Sequence, residues 1–309
     1  MESAAIGIFD SGLGGLTVAR EIAHALPDEA LVYLGDTARC PYGPRDLAEV
    51  RRFVLEIGGW LLARRVKLIV IACNTATAAG LALAQQAFGV PVIGVVEPGA
   101  RAAVMETKNR RVGVIGTAGT IESGAYSRAV RALDAGVTVF SATTPRFVDI
   151  VEEGLQLDAG PMEGLLADSA DVFVRPSFHE IARDYLDPLK RSGIDTLVLG
   201  CTHYPLLSAS IQQVVGSRVR LISSAHETAL EVAETLARKD QLAPARGSEP
   251  HHRFATTGDA EEFARLGARV FGGELGDVAS VSLAELADSV VGDVEALLQD
   301  STMGEATCA

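Results

Sequence analysis

Two cysteines occupy the most informative positions in this chain. Cys73 follows the apolar run Leu68–Ala72 and precedes Asn74-Thr75, while Cys201 follows Asp195–Gly200 and precedes Thr202-His203. One cysteine after a buried strand is usually a packing residue, because an unreacted thiol behaves as a small hydrophobe. Two at equivalent points of two similar segments point to chemistry instead. If the segments face each other across a pseudo-twofold axis, the sulfurs enter one cleft from opposite sides. Each would lie near the N-terminus of the helix that follows, where backbone N–H groups lower a thiol pKa and hold an anion. Opposed thiols suit removal of a proton from one face of a stereocentre and its return to the other. The alternative is a cysteine hydrolase, which needs one nucleophile, one base and an oxyanion hole. His203 would be that base, although neighbours at i and i+2 rarely form such a dyad.

The remaining polar residues at strand ends fit a small zwitterion. Asp10-Ser11 and the pair Thr117 and Thr120 are read as direct contacts for an amine and a carboxylate. Gly12-Leu-Gly14-Gly15 lacks the spacing of the dinucleotide fingerprint, and no Walker lysine follows a glycine loop, so NAD and ATP are not expected. The other reading of these glycines is that they only shape tight turns. No CxxC pair occurs, which removes the common zinc and dithiol readings. His251-His252 lack a nearby carboxylate or cysteine and read as a solvated loop pair, so no metal is expected.

Elements must position these groups. Ala5–Phe9, Leu31–Leu34, Leu68–Ala72, Val92–Val96, Val112–Ile115, Val137–Phe140, Leu197–Leu199 and Val219–Ile222 read as strands buried on both faces. Helical patterns such as Leu16–Leu26, Asp46–Arg65 and Gly124–Leu133 alternate with them, which predicts α/β architecture with mostly parallel sheets. Sites in such folds lie beyond the carboxyl ends of the strands. The form of Ile6–Gly12 recurs at Val112–Thr120, as that of Leu68–Thr75 recurs at Asp195–His203, so two tandem units of one design are expected. The second unit is longer between opening strand and cysteine (112 to 201, against 6 to 73) by about 22 residues, which fall between Gly154 and Phe178. Gln241–Arg253 reads as a loop. Ser282 to Glu285 reads as a capping box for a helix running to about Gln299, and the end containing Cys308 as frayed.

The 309 residues are 48% apolar and 5% aromatic, with 27 Lys+Arg against 40 Asp+Glu. A net charge of -13 repels phosphate backbones, so direct nucleic-acid binding is not expected. Neither a signal peptide nor a membrane span is expected, and reduced thiols fit a cytoplasmic protein.

In this order the motifs resemble those of the glutamate racemases, within the aspartate/glutamate racemase family. They are Phe9-Asp10-Ser11-Gly12-Leu-Gly14-Gly15-Leu16-Thr17, Gly35-Asp36-Thr37-Ala38-Arg39 leading to Pro41-Tyr42-Gly43, Ala72 to Thr77, Gly116 to Thr120, and Gly200-Cys201-Thr202-His203-Tyr204-Pro205-Leu206-Leu207. The resemblance implies two pseudo-symmetric three-layer α/β domains, residues 1–97 plus 208–309 and residues 98–207, with the active site in the cleft between them. It implies cofactor-independent interconversion of L- and D-glutamate to supply peptidoglycan synthesis. By similarity, Cys73 takes the α-proton of D-glutamate and Cys201 that of L-glutamate. Asp10, Glu152 and His203 assist the thiols, and Asp10-Ser11, Tyr42-Gly43, Asn74-Thr75 and Thr202-His203 bind substrate. Thr144-Pro145 and Ser223-Ser224 depart from the family pattern, where Cys-Pro and Asp-Ser are frequent. The related alternative is a racemase of the aspartate or hydantoin type. A homodimer and DNA gyrase are partners known among such enzymes, and no residue of the sequence argues for either.

Overall fold

The computed structural model describes residues 4–156, 176–245 and 250–290. Their first four strands are β1 (Ile6–Asp10), β2 (Leu31–Gly35), β3 (Leu68–Ile71) and β4 (Val92–Gly94). The next four are β5 (Arg111–Gly116), β6 (Thr138–Thr143), β7 (Thr196–Gly200) and β8 (Arg220–Ser223). Two late strands, β9 (Arg253–Thr256) and β10 (Val278–Ser280), return to the first sheet, whose order is β10-β9-β2-β1-β3-β4. The second sheet is β6-β5-β7-β8, the same 2-1-3-4 order as the core of the first. All eight described strand pairings are parallel. The expected tandem design is therefore present, and each cysteine follows the third strand of its unit.

The central strands are apolar without a break because both faces are covered. Ile6, Ile8, Leu68 and Val70 join one core cluster and Phe9, Ile69 and Ile71 another, with every one of them buried. The first of these clusters continues into the second sheet through Ile115, Leu197 and Leu199. One apolar core thus links the two units.

The helices of the first unit are α1 (Leu16–Ala25), α2 (Leu47–Ala63) and α3 (Asn74–Ala87), while α4 (Val96–Glu106) packs its Val96, Ala100 and Ala103 against Val112, Val114 and Val198 of the second sheet. The second unit also holds α5 (Ala118–Glu122), α6 (Ala125–Leu133), α7 (Arg146–Gln156), α8 (Pro176–Arg191) and α9 (Ser208–Val215), after which α10 (Ser224–Arg238) packs on α1 of the first. Lastly come α11 (Ala260–Phe271) and α12 (Leu283–Asp288). The boundary expected at 207/208 is corrected by β8, which pairs with β7 in register from Thr196–Arg220 to Leu199–Ser223. The second unit therefore keeps the chain through Ser223, and the first regains it afterwards.

Two further expectations change. The loop expected over Gln241–Arg253 stops where Arg253 opens β9, and His252 is a packed residue: its Nδ1 accepts from Leu31 N at 3.3 Å and its ring meets Phe254 and Phe271. Ser282 does cap α12 by accepting from Glu285 N at 3.1 Å, but the Glu285 side chain accepts from Trp60 Nε1 at 2.8 Å, and the described helix ends at Asp288. Most of the segment between Gly154 and Phe178, the stretch to Gln299 and Cys308 lie outside the described residues. Among the described residues, no helix is long and apolar enough to cross a membrane.

Candidate active site

The carboxyl ends of β1, β3 and β7 meet at one cavity. Ser11, Cys73, Asn74, Thr75, Thr117, Cys201, Thr202 and His203 line it, with Cys40, Pro41, Tyr42 and Gly43 from the segment after β2. Cys73 and Cys201 are each 7% exposed. The cavity measures about 30 Å³, space for water and not for an amino acid.

Cys73 sits at the N-cap of α3, where a strand ending in Ile71 and a helix opening in Asn74 leave it at their junction. The backbone N–H of Ala76, in the first turn of α3, favours the thiolate, as expected of a helix N-terminus. Its sulfur lies 3.8 Å from Ser11 Oγ. Burial nevertheless pushes the Cys73 thiol well up, and the charge of Asp10 adds to this. Asp10 is fully buried; burial raises its carboxyl too, against the pull of the His203 charge, the Gly12 and Gly15 amides and the Thr202 hydroxyl.

Cys201 differs. No α-helix starts beside it: a 3₁₀ turn, Tyr204–Leu207, comes first. The sequence expectation of two helix-assisted thiols therefore holds for Cys73 alone. At Cys201 an imidazole takes the place of the helix end. His203 Nδ1 lies 3.7 Å from the Cys201 sulfur and Nε2 lies 2.6 Å from Glu152 Oε1. The i and i+2 side chains do meet, contrary to expectation, because the turn after β7 folds His203 back over Cys201. Burial disfavours the imidazolium, but Cys201 and Glu152 outweigh it and raise the His203 pKa well above the ordinary value. Burial likewise opposes the Glu152 carboxylate, yet the His203 hydrogen bond and charge hold its pKa below the usual range.

Several expected substrate contacts already have protein partners. The Thr75, Thr117 and Thr120 hydroxyls form a trio, with separations of 2.9, 3.2 and 3.1 Å. Thr117 lines the cavity, whereas Thr120, 1% exposed, backs the trio. Thr202 Oγ1 donates to Asp10 Oδ1 at 3.4 Å. The Tyr42 hydroxyl is directed away, to Asp36, so this residue faces the cavity without it. Gly43 abuts Thr117 of the other unit: a Cβ there would come within 2.9 Å of Thr117 Cβ. Asn74 Nδ2 donates to Tyr126 Oη at 2.8 Å, and Asn74 Oδ1 is buried with no partner.

Sequence reasoning did not single out Cys40, Asp36, Tyr126 or Gly14 as site residues. Cys40 is a third thiol on the cavity, pushed up to about 12 by burial. For Gly14, both turn shaping and site contact were open readings. A Cβ at Gly14 would sit 2.4 Å from Thr202 Oγ1 and 2.6 Å from His203 Nδ1, so close approach of the two units explains it. The two departures from the family pattern are accommodated locally. Thr144, fully buried, donates to Tyr204 Oη at 2.8 Å, and Ser224 hydrogen-bonds Tyr126.

Comparison with known proteins agrees over nearly the whole chain. Residues 6–232 match the family profile described as Asp/Glu/Hydantoin racemase. A glutamate racemase from Saccharopolyspora erythraea is 50% identical over 275 residues, covering 89% of this chain and 94% of that protein. Among solved structures, glutamate racemase isoform RacE1 from Bacillus anthracis superposes with a TM-score of 0.80 at 44% identity, covering 91% of this chain and 98% of that one. The glutamate racemase of Francisella tularensis, solved in complex with D-glutamate, gives 0.78 at 31% identity, covering 92% and 99%.

Proposed function

The chain belongs to the Asp/Glu/hydantoin racemase family, and on that premise we propose that it interconverts L- and D-glutamate by two-base proton transfer between Cys73 and Cys201. The observation that carries the reading is that these two thiols, from equivalent strands of the two units, line one cavity. The match to glutamate racemases at 50% and 44% identity favours glutamate over aspartate or a hydantoin.

In the L-to-D direction the Cys201 thiolate takes the α-proton. The C–H electron pair passes to the substrate as a carbanion delocalised into its carboxylate. Cys73 gives its own proton to the opposite face, leaving Cys73 as thiolate and Cys201 as thiol. The different surroundings of the two sulfurs suit this resting state. The His203 imidazolium offers a donor to Cys201, and a charge-assisted hydrogen bond stabilises negative sulfur. Cys73 is kept protonated by burial. In reverse, the Ala76 N–H supports the Cys73 thiolate, with the nearby Asp10 carboxylate as acid-base partner. Closure around the substrate excludes water and strengthens each of these contacts. Ser11, Gly43, Asn74, Thr75, Thr117 and Thr202 provide the binding surface.

The scheme calls on no cofactor, and it suits a cytoplasmic supplier of D-glutamate for peptidoglycan. The Cys201–His203 contact also has the form of a hydrolase dyad, but a hydrolase leaves Cys73 without a role. Circular dichroism of D-glutamate incubated with purified protein and no added cofactor tests the function. Decay of the signal to zero, with deuterium entering the α-position in deuterated water, is the expected result. A stable signal with no α-exchange rejects it.

A further inference from the structure

Tyr126 joins the two turns that bear the thiols. It lies at the start of α6 in the second unit and is 2% exposed. Its ring packs on Gly200, the residue before Cys201, where an added Cβ would lie 3.1 Å from Tyr126 Cε2. Its hydroxyl accepts from Nδ2 of Asn74, the residue after Cys73, at 2.8 Å. On its other side the hydroxyl is hydrogen-bonded to Ser224. Asn74 is 3% exposed, lines the cavity, and keeps Oδ1 buried without a partner.

A primary amide is nearly symmetric in shape, so only its neighbours decide which end faces which way. A buried acceptor left unpaired costs free energy, and no group among the described residues recovers it here. We infer that Tyr126, which touches no reacting atom, is a positioning residue: with Ser224 it holds the Asn74 amide so that its oxygen stays open for the ammonium group of the substrate. This rests on the glutamate reading and refines it, because it separates recognition of the amine from recognition of the carboxylates. Without the Tyr126 hydroxyl the amide is free to turn, and an N–H then faces a cation.

The test compares ligands that differ only in the amine. Racemic glutamate and glutarate are titrated calorimetrically into the wild-type protein and into Tyr126→Phe, which retains the ring on Gly200, and KM and kcat are measured alongside. Loss of one hydrogen bond predicts on the order of tenfold weaker glutamate binding and a matching rise in KM, with glutarate binding changed less than about twofold. Equal weakening of both ligands, or no change in either, overturns the assignment. Ser224→Ala, which retains ring and hydroxyl, should give the same selectivity for glutamate to a smaller degree and decides the matter if Tyr126→Phe does not fold. Equal weakening of both ligands, or no change, in Ser224→Ala overturns the assignment in that case. Binding is read without turnover, so a wild-type protein that binds glutamate but does not racemise it counts against the two-base reading and not against this one.

Discussion

His203 Nε2 stands 2.6 Å from Glu152 Oε1, and the other nitrogen of the same ring faces the Cys201 sulfur. The carboxylate therefore determines how long the imidazole stays charged. His203 has its pKa raised above the ordinary imidazole value and Glu152 has its pKa lowered. The raised histidine stabilises the fold below its unfolded pKa, and that contribution is lost as pH climbs through the folded value. The lowered carboxylate contributes above its unfolded pKa and is lost as pH falls through its folded one. The ion pair is intact between these limits.

Glu152→Gln keeps the shape and removes the charge, so the alkaline limb of the activity profile should move to lower pH. The Glu152 side chain is 37% exposed, which screens the pair, and a displacement of about one pH unit is expected. Enantiomers have equal free energies in water, so kcat/KM must fall equally in both directions. The affected side is read from primary isotope effects with α-deuterated substrates, which should rise more for L-glutamate. An alkaline limb that stays in place in the variant rejects this role for Glu152.

Cys73→Ser and Cys201→Ser replace a sulfur by a poor proton carrier of similar size. Each should reduce racemisation by on the order of 10²–10⁴-fold. The residual chemistry should be one-sided: Cys73→Ser exchanging the α-proton of L-glutamate only, Cys201→Ser that of D-glutamate only. Proton NMR in deuterated water reads this directly, and exchange of both enantiomers by either variant contradicts the two-base scheme.

Gly14→Ala probes the approach of the units without removing a charged group. Its Cβ would collide with Thr202 Oγ1 and His203 Nδ1, both in the turn that carries Cys201. Relief requires that turn to shift, since Gly14 itself is tied down by Thr17. Overpacking of this kind costs about 1–3 kcal/mol, so the protein should still fold. Activity should drop more than tenfold with far-UV circular dichroism unchanged. Full activity would show that the turn yields freely.

How much of this was legible beforehand depended on the range of the interaction. The parallel strands were readable because unbroken apolar runs such as Leu68–Ile71 have few other uses, and the cysteines because their positions repeat. β9 and β10 were not, since Arg253–Thr256 and Val278–Ser280 are too short to carry a pattern and become strands only when β9 pairs with β2 and β10 with β9. The Cys201–His203 contact was discounted because sequence separation says nothing about how a turn folds back. Tyr42 was read as a ligand through its motif, yet the hydroxyl goes to Asp36, a choice made by a buried charge that the sequence does not localise.

That buried charge leads to a prediction about a distant part of the chain. Asp36 is fully buried and accepts from Tyr42 Oη, from Arg39 Nε at 2.6 Å and from Thr257 Oγ1 at 2.8 Å. The Thr257 hydroxyl also accepts from Ala38 N at 3.0 Å, and Thr256 Oγ1 meets Thr37 Oγ1 at 2.7 Å. The end of β9 thereby grips the segment that delivers Cys40, Pro41, Tyr42 and Gly43 to the cavity. Thr257→Val retains the volume and loses both bonds, leaving one oxygen of the buried Asp36 carboxylate short of a donor. Loss of a charge-assisted bond is worth about 1.5–3 kcal/mol, part of it as lost stability and part as a loosened cavity wall. KM for glutamate should rise several-fold while kcat changes less, and Thr257→Ser should restore it. A lower Tm with KM unchanged would make Thr257 a purely structural residue and detach β9 from the site.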